Sequence, residues 1–221
     1  MLYSEEAVRA NLRNRDGKRV FYLGKGDQLT SGARDWLTRE RIPILSPEQA
    51  KKESYRLLSG GTVAEKPEHM THLNSEVLVP KDHPRIVFRG KMDTLEANLL
   101  PCGPQVKEVL ELVRKILRCD VLEQPLETVT LCGLDQQELR KRSHFPQDYY
   151  GIPHFMPDFS DSQQILRLNL ARCAAREAEL AAVTAFSDRE GNPTRVDILQ
   201  ALNRVSSMLY ILMIQEKRGV P

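Results

Sequence analysis

The sequence predicts a mainly α protein: an antiparallel bundle of four to five helices, preceded by a small α/β unit. Three stretches carry that expectation. Ile198, Leu199, Leu202, Val205, Leu209 and Leu212 repeat at helical spacing and form one continuous stripe. Residues 163–188 contain neither Pro nor Gly and are rich in Ala, Leu, Arg and Glu. Residues 1–60 instead mix short apolar runs with Gly- and Ser-marked turns. Composition therefore divides the chain into an α/β unit (1–60), a polar connection (61–84) and a helical bundle (85–221).

The N-terminal elements follow from local signals. Ser4 caps a predicted helix to Asn14, Asp16-Gly17 turns the chain, and Arg19 to Leu23 reads as a strand. Gly24-Lys25-Gly26-Asp27 matches neither nucleotide-binding glycine pattern and reads as a plain strand-to-helix loop rather than a phosphate-cradling turn. Thr30 or Ser31 then caps a helix through about Glu40, and Ile42 to Leu45 is a second strand. A helix is expected from Ser46-Pro47-Glu48 to about Leu58, with Ser59-Gly60-Gly61 as a linker. Glu65 to Val79 reads as polar and irregular. Its His69 and His72, with His83 nearby, leave two readings open: a metal site short of ligands, or ordinary loop residues.

Beyond Arg85 the pattern is helical. Met92, Leu95 and Leu99 mark a first bundle helix stopped by Pro101, and Gln105 to Leu117 a second. A third is predicted from Leu126 to Arg142, with Gly133 as a weak point. Ser160 with Gln163 has the spacing of a capping box for the long helix over 163–188. Thr194 with Asp197 has the same spacing for the last helix, which runs to about Lys217 before Gly219. Between helices, Ser143 to Asp161 gathers Phe145, Tyr149, Tyr150, Phe155 and Phe159 among prolines. That loop is either a wall for a large flat ligand or a plug at the end of the bundle. Arg172, Arg176 and Glu179 share one helix face, as a rigid fork for a polyanion or as a solvated row of charges.

Bulk properties narrow the function. With 221 residues, 41% hydrophobic and 28% charged, the chain is globular. A net charge of +2 and the lack of a basic run or aromatic RNA motif give no support to nucleic-acid binding. Residues 1–14 lack the apolar core of a signal peptide, and residues 208–214 are far too short to span a bilayer. A cytoplasmic protein without membrane partners is expected. Cys102, Cys119, Cys132 and Cys173 form no C-x-x-C pair and read as mostly buried thiols.

Three segments in register resemble the cobalamin adenosyltransferases. Val79-Pro80-Lys81-Asp82 through Pro84-Arg85, followed by Gly90-Lys91-Met92-Asp93-Thr94-Leu95, is similar to the family's V-x-K-D, P-R and G-x-x-D-x-L. Ala171-Arg172, Arg176 and Ala178-Glu179 resemble A-R-x-x-x-R-R-A-E. Leu202-Asn203-Arg204-Val205-Ser206 with Leu209-Tyr210 resembles L-N-R-L-S-x-x-L-F. These cover residues 79–216 and resemble the propanediol-utilisation type. The α/β unit and Glu68-His69-Met70-Thr71-His72-Leu73 look more like the ethanolamine-utilisation type. Two family features are missing: the glycine-rich T-G-D-x-G-x-T-S-L loop, and the histidine-plus-cysteine metal motif, since no cysteine precedes Cys102.

The resemblance implies attack of cob(I)alamin on the 5′ carbon of ATP, with Mg²⁺ and no structural metal. It implies Arg172, Asn203 and Asp93 as catalytic residues, and Lys81, Thr71, Arg172, Arg176, Glu179 and Asn203 around ATP. Asp93 is similar to a carboxylate that meets an arginine across a subunit boundary, so a homotrimer is implied. Phe155 lies near the position of an aromatic wedge against the lower cobalt ligand, with Phe159 or Tyr150 as substitutes. A reductase and ethanolamine ammonia-lyase are the implied protein partners, with association to a bacterial microcompartment as an open possibility. The competing expectation is a non-catalytic corrinoid-binding or scaffold helical protein of the same pathway.

Overall fold

The computed structural model describes residues 1–15, 18–46, 54–74 and 76–219. The chain divides into two compact units, Met1–Lys66 and Pro67–Pro221.

In the first unit, β1 (Leu2–Tyr3) precedes α1 (Glu5–Ala10), whose cap is Ser4 as the sequence predicts. The helix stops four residues short of the expected end at Asn14. Asn11 closes it, donating from its side chain to the Ala7 carbonyl, and the chain turns into β2 (Arg13–Arg15). The Asp16-Gly17 turn lies outside the described residues. β2 pairs antiparallel with β3 (Lys18–Tyr22). A turn closed by Asp27 N–H on the Gly24 carbonyl leads to β4 (Gln28–Leu29) and α2 (Ser31–Arg39), capped by Thr30. β5 (Ile44–Leu45) lies parallel to β3, and Val8, Phe21, Trp36 and Leu37 fill the core.

The helix expected up to Leu58 is corrected over its last residues. Residues 47–53 lie outside the description, and Tyr55–Leu57 is a strand, β6, hairpinned to β7 (Thr62–Val63). Ser59-Gly60-Gly61 is therefore the turn of a hairpin rather than a linker. Gly60 at φ 98° and Gly61 at φ 81° supply the left-handed backbone that the tight reversal requires.

The second unit opens with another hairpin, β8 (Met70–His72) against β9 (Val77–Pro80), where polar irregular chain is expected. The consecutive apolar residues Val77, Leu78 and Val79 of β9 are all buried, β8 pairs with that strand, and Asn74 ties the turn by accepting from the Glu76 and Val77 amides. Helices follow: α3 (Pro84–Leu99), α4 (Lys107–Val121), α5 (Gln136–His144), α6 (Pro146–Tyr150), α7 (Gln163–Ala185) and α8 (Val196–Arg218). α3 packs on α7, α7 on α8, and α4 and α5 close the bundle.

α7 buries Ala171, Ala174, Ala175, Ala178 and Ala182. These small side chains let its neighbours approach closely, and α8 answers with a nearly all-round apolar segment from Met208 to Ile214. Each large aliphatic chain buried there contributes about 1.5–3 kcal/mol.

Three predicted boundaries move. The helix over Leu126–Arg142 shrinks to α5, because Cys132 and Gly133 both take positive φ and Leu131 bridges Leu134 in a tight turn. Its start is instead capped by Asp135, whose carboxylate accepts from the Gln137 and Glu138 amides. The cap of α7 is Ser162, accepting from Ile165 N–H, not Ser160. α8 starts without a capping box: Thr194 donates to the Phe186 carbonyl, and Asp197 turns to the Leu126 amide and Arg195. Among the cysteines, Cys102 and Cys119 are buried, but Cys132 and Cys173 are exposed, so the expectation of buried thiols holds for half of them. No helix among the described residues is long and apolar enough to cross a membrane.

Candidate active site

The second unit contains a cavity of about 840 Å³ between α7, α8 and the segment that follows α6. α7 contributes Asn169, Arg172, Cys173 and Arg176, residues spaced three or four apart and therefore stacked along one face. α8 contributes Asn203, Ser206, Ser207, Tyr210 and Met213 by the same periodicity. His154, Phe155, Met156 and Pro157 form the third wall, and Ser143 and His144 at the end of α5 complete it.

The two arginines are the positive charges of this lining, and no carboxylate accompanies them in it. Among the described residues, neighbouring acids are engaged elsewhere: Glu177 with Lys91 at 2.7 Å, and Glu179 with the Asn203 side-chain amide at 3.0 Å. Arg172 lays its guanidinium over the Tyr210 ring, 5.2 Å from the centroid. Such a contact orients the side chain without neutralising it. The cavity thus offers two cations, one turn apart, to an anion.

Asn203 is fixed from both sides. Arg204 donates to its Oδ1 at 2.6 Å, so the amide nitrogen must face Glu179. Arg204 itself is only 7% exposed and also donates to the Gln136 carbonyl. Burial, and then the charge of Arg140, pulls its guanidinium below the usual range, against the opposing pull of Glu179. Sequence reasoning places Glu179 beside Arg176; the structure gives it to Asn203 instead.

Of the predicted site residues, the structure brings Arg172, Arg176, Asn203 and Phe155 to one cavity, with Glu179 attached through Asn203. It does not bring the others there. Tyr150 is half-buried against the bundle core, and Phe159 is 95% exposed. Asp93 lies on the exposed side of α3, Thr71 is half-buried in β8, and Lys81 is exposed just beyond β9. His83 is the cap of α3, its Nδ1 accepting from the Arg85 amide. Among the described residues no group of three His, Cys, Asp or Glu is placed to hold a metal.

Sequence reasoning gave no role to Arg204, His154 or Tyr210. Arg204 and Tyr210 stand inside a quoted motif, which was the available signal. His154 carries none.

Residues 62–216 match the family described as cobalamin adenosyltransferase. The chain is 32% identical over 242 residues to the corrinoid adenosyltransferase EutT of Salmonella typhimurium, covering 96% of this chain and 90% of that protein. It is 37% identical over 160 residues to the corrinoid adenosyltransferase EutT of Escherichia coli K12, covering 69% of this chain and 60% of that one. The chain belongs to the cobalamin adenosyltransferase family and is of its EutT-like kind.

Proposed function

We propose that this chain transfers the 5′-deoxyadenosyl group of ATP to cob(I)alamin, supplying adenosylcobalamin for ethanolamine ammonia-lyase. The cobalt electron pair forms the Co–C bond at C5′, the C5′–O bond breaks, and its electrons leave with the triphosphate. The observation that carries the reading is the pair Arg172 and Arg176 aimed into one cavity with an aromatic and thioether wall. A leaving polyanion needs rigid, unneutralised cations. Arg172 and Arg176 serve that role, Asn203 orients the nucleotide, and Glu179 offers a hard oxygen suited to Mg²⁺. Phe155 is the apolar wedge that removes the lower ligand of cobalt and keeps water out. Its ring stacks on Tyr210 with centroids 6.0 Å apart and lies under Lys217, which pairs with Asp161.

Lys81, Thr71 and Asp93 lie outside this cavity, and a homotrimer gives them a place. Val87 on α3 and Leu170, Leu180 and Val183 on α7 are large apolar side chains left exposed, surface that a second subunit would cover. Sedimentation equilibrium at working concentration tests assembly; a monomer at that concentration removes Asp93 from the proposed site.

The decisive experiment is the visible spectrum of cob(II)alamin titrated with the protein, with and without Mg·ATP. Conversion to the form lacking the lower ligand only when ATP is present is expected. No change in either condition would leave a corrinoid-pathway scaffold as the better reading.

A further inference from the structure

The Tyr210 hydroxyl meets the segment bearing Phe155 at two points, the His154 ring and the Phe155 amide. His154 Nε2 lies 3.0 Å from the His144 carbonyl, an acceptor only, so this nitrogen carries the proton. With the ring neutral, Nδ1 is an acceptor, and it lies 3.1 Å from the Tyr210 hydroxyl. The same hydroxyl oxygen accepts from the Phe155 amide at 3.2 Å. The polarity is therefore fixed along the chain of contacts: Phe155 N–H to Tyr210, Tyr210 O–H to His154, His154 N–H to the end of α5. Every donor finds an acceptor. The Tyr210 and His154 rings also stack, 11° from parallel with centroids 5.7 Å apart.

We infer that Tyr210 is a positioning residue for the wedge: its hydroxyl latches His154 and Phe155 to α8 and so sets where the Phe155 ring stands in the cavity. This rests on the proposed adenosylation of cobalamin and extends it to a residue that does not react. Two observations separate the hydroxyl from the rest of Tyr210. The ring is 8% exposed and packs in the bundle core, so a phenylalanine fills the same space. The ring face also carries Arg172, a contact that does not involve the oxygen. In the family motif this position is phenylalanine, so the latch is a property of this chain rather than of the motif.

The test is Tyr210→Phe assayed on two substrates: cobalamin, and a corrinoid lacking the nucleotide loop and hence the lower base. Wild-type protein should adenosylate both. The variant should lose about tenfold in turnover with cobalamin, the scale of one neutral hydrogen bond, and less than twofold with the base-free corrinoid. Its melting temperature should stay within about 3 °C of wild type. In a Phe155→Ala background the same substitution should add no further loss, because the latch then has no wedge to place. An equal fall on both corrinoids, or a full tenfold loss added to Phe155→Ala, would overturn the inference and assign the hydroxyl to ATP binding or to folding. Wild-type protein inert toward both corrinoids would overturn the underlying activity as well, and so is told apart from a failure of the latch alone.

Discussion

Arg85 and Arg89 on α3, and Arg172 and Arg176 on α7, are two pairs with the same spacing of one helical turn and opposite surroundings. The α3 pair converges on Asp120 of α4, whose side chain is 0% exposed. Arg85 Nε donates to Oδ1 at 2.9 Å, Arg89 Nε to Oδ2 at 2.6 Å, and Arg85 also reaches the Asp120 carbonyl and Glu123. There both guanidiniums are paired with a buried carboxylate, although Arg89 Nη2 has no hydrogen-bond partner among the described residues. The α7 pair has no ion pair or hydrogen bond among the described residues and opens on a cavity. Arg172 is half-buried and Arg176 exposed on this open cavity, so both remain available to an incoming anion. Spacing shows that two arginines share a face; what faces them decides whether they hold a fold or a substrate.

Breaking the closed pair should give the larger effect. Asp120→Ala leaves two guanidiniums, each less than a fifth exposed, without their carboxylate. We expect a loss of about 3–5 kcal/mol in urea unfolding and a fall of about 10 °C in melting temperature. The folded fraction should keep its specific activity. A loss below about 1 kcal/mol would mean that the arginines find water or other acceptors, and the contrast between the pairs would fail.

The open pair should respond in reverse. Arg172→Ala should reduce turnover on the order of a hundredfold, as for other losses of a charge contact in the transition state. Its stability should change by no more than about 1 kcal/mol, since only the contact with Tyr210 is given up. Arg172→Lys should fall between the two, keeping the charge but not the planar fork. Thermal destabilisation with intact specific activity would make Arg172 structural and remove the distinction.

The same contrast explains what the sequence could disclose. The apolar stripe of α8 and the alanines of α7 obey a period that only a buried helix face satisfies, so the bundle was legible. The hairpin at Ser59-Gly60-Gly61 was not, because a Gly pair marks a turn without saying whether strands flank it. The α5 boundary depended on the positive φ of Cys132, a conformation that side-chain pattern does not encode. At the site, Arg172, Arg176 and Asn203 were visible because they sit in motifs with fixed spacing. The Asn203–Glu179 bond joins residues 24 apart, and the His154–Tyr210 contact joins residues 56 apart. Nothing local announces either.

Asn203 lies between the two extremes and sharpens the comparison. It accepts from a buried arginine on one side and faces the cavity on the other. Asn203→Ala should therefore lower kcat/KM about tenfold and stability by about 1–2 kcal/mol together, since Arg204 loses a buried acceptor. A change in only one of the two would assign Asn203 wholly to the site or wholly to the scaffold.

The smallest effect concerns a third arginine arrangement, partly open and salt-bridged, at the start of α8. Asp197 accepts from Arg195 at 2.8 Å and from the Leu126 amide at 2.8 Å, and its side chain is 24% exposed. Burial raises its carboxyl, but Arg195 and the Leu126 amide outweigh that and hold it at about 2, below the 3.8 of the free group. The unfolded chain therefore takes up this proton first as pH falls. The stabilising contribution is complete above about pH 4 and is lost between pH 4 and pH 2. Asp197→Asn keeps an oxygen for Leu126 and removes the charge. Urea midpoints should show the variant less stable at pH 7 by about 1 kcal/mol or less, because solvent screens a pair this exposed. That gap should close as pH falls to 2. A gap that is unchanged at pH 2 would show that Asp197 acts through shape and hydrogen bonding rather than charge, and would place it with neither arginine pair.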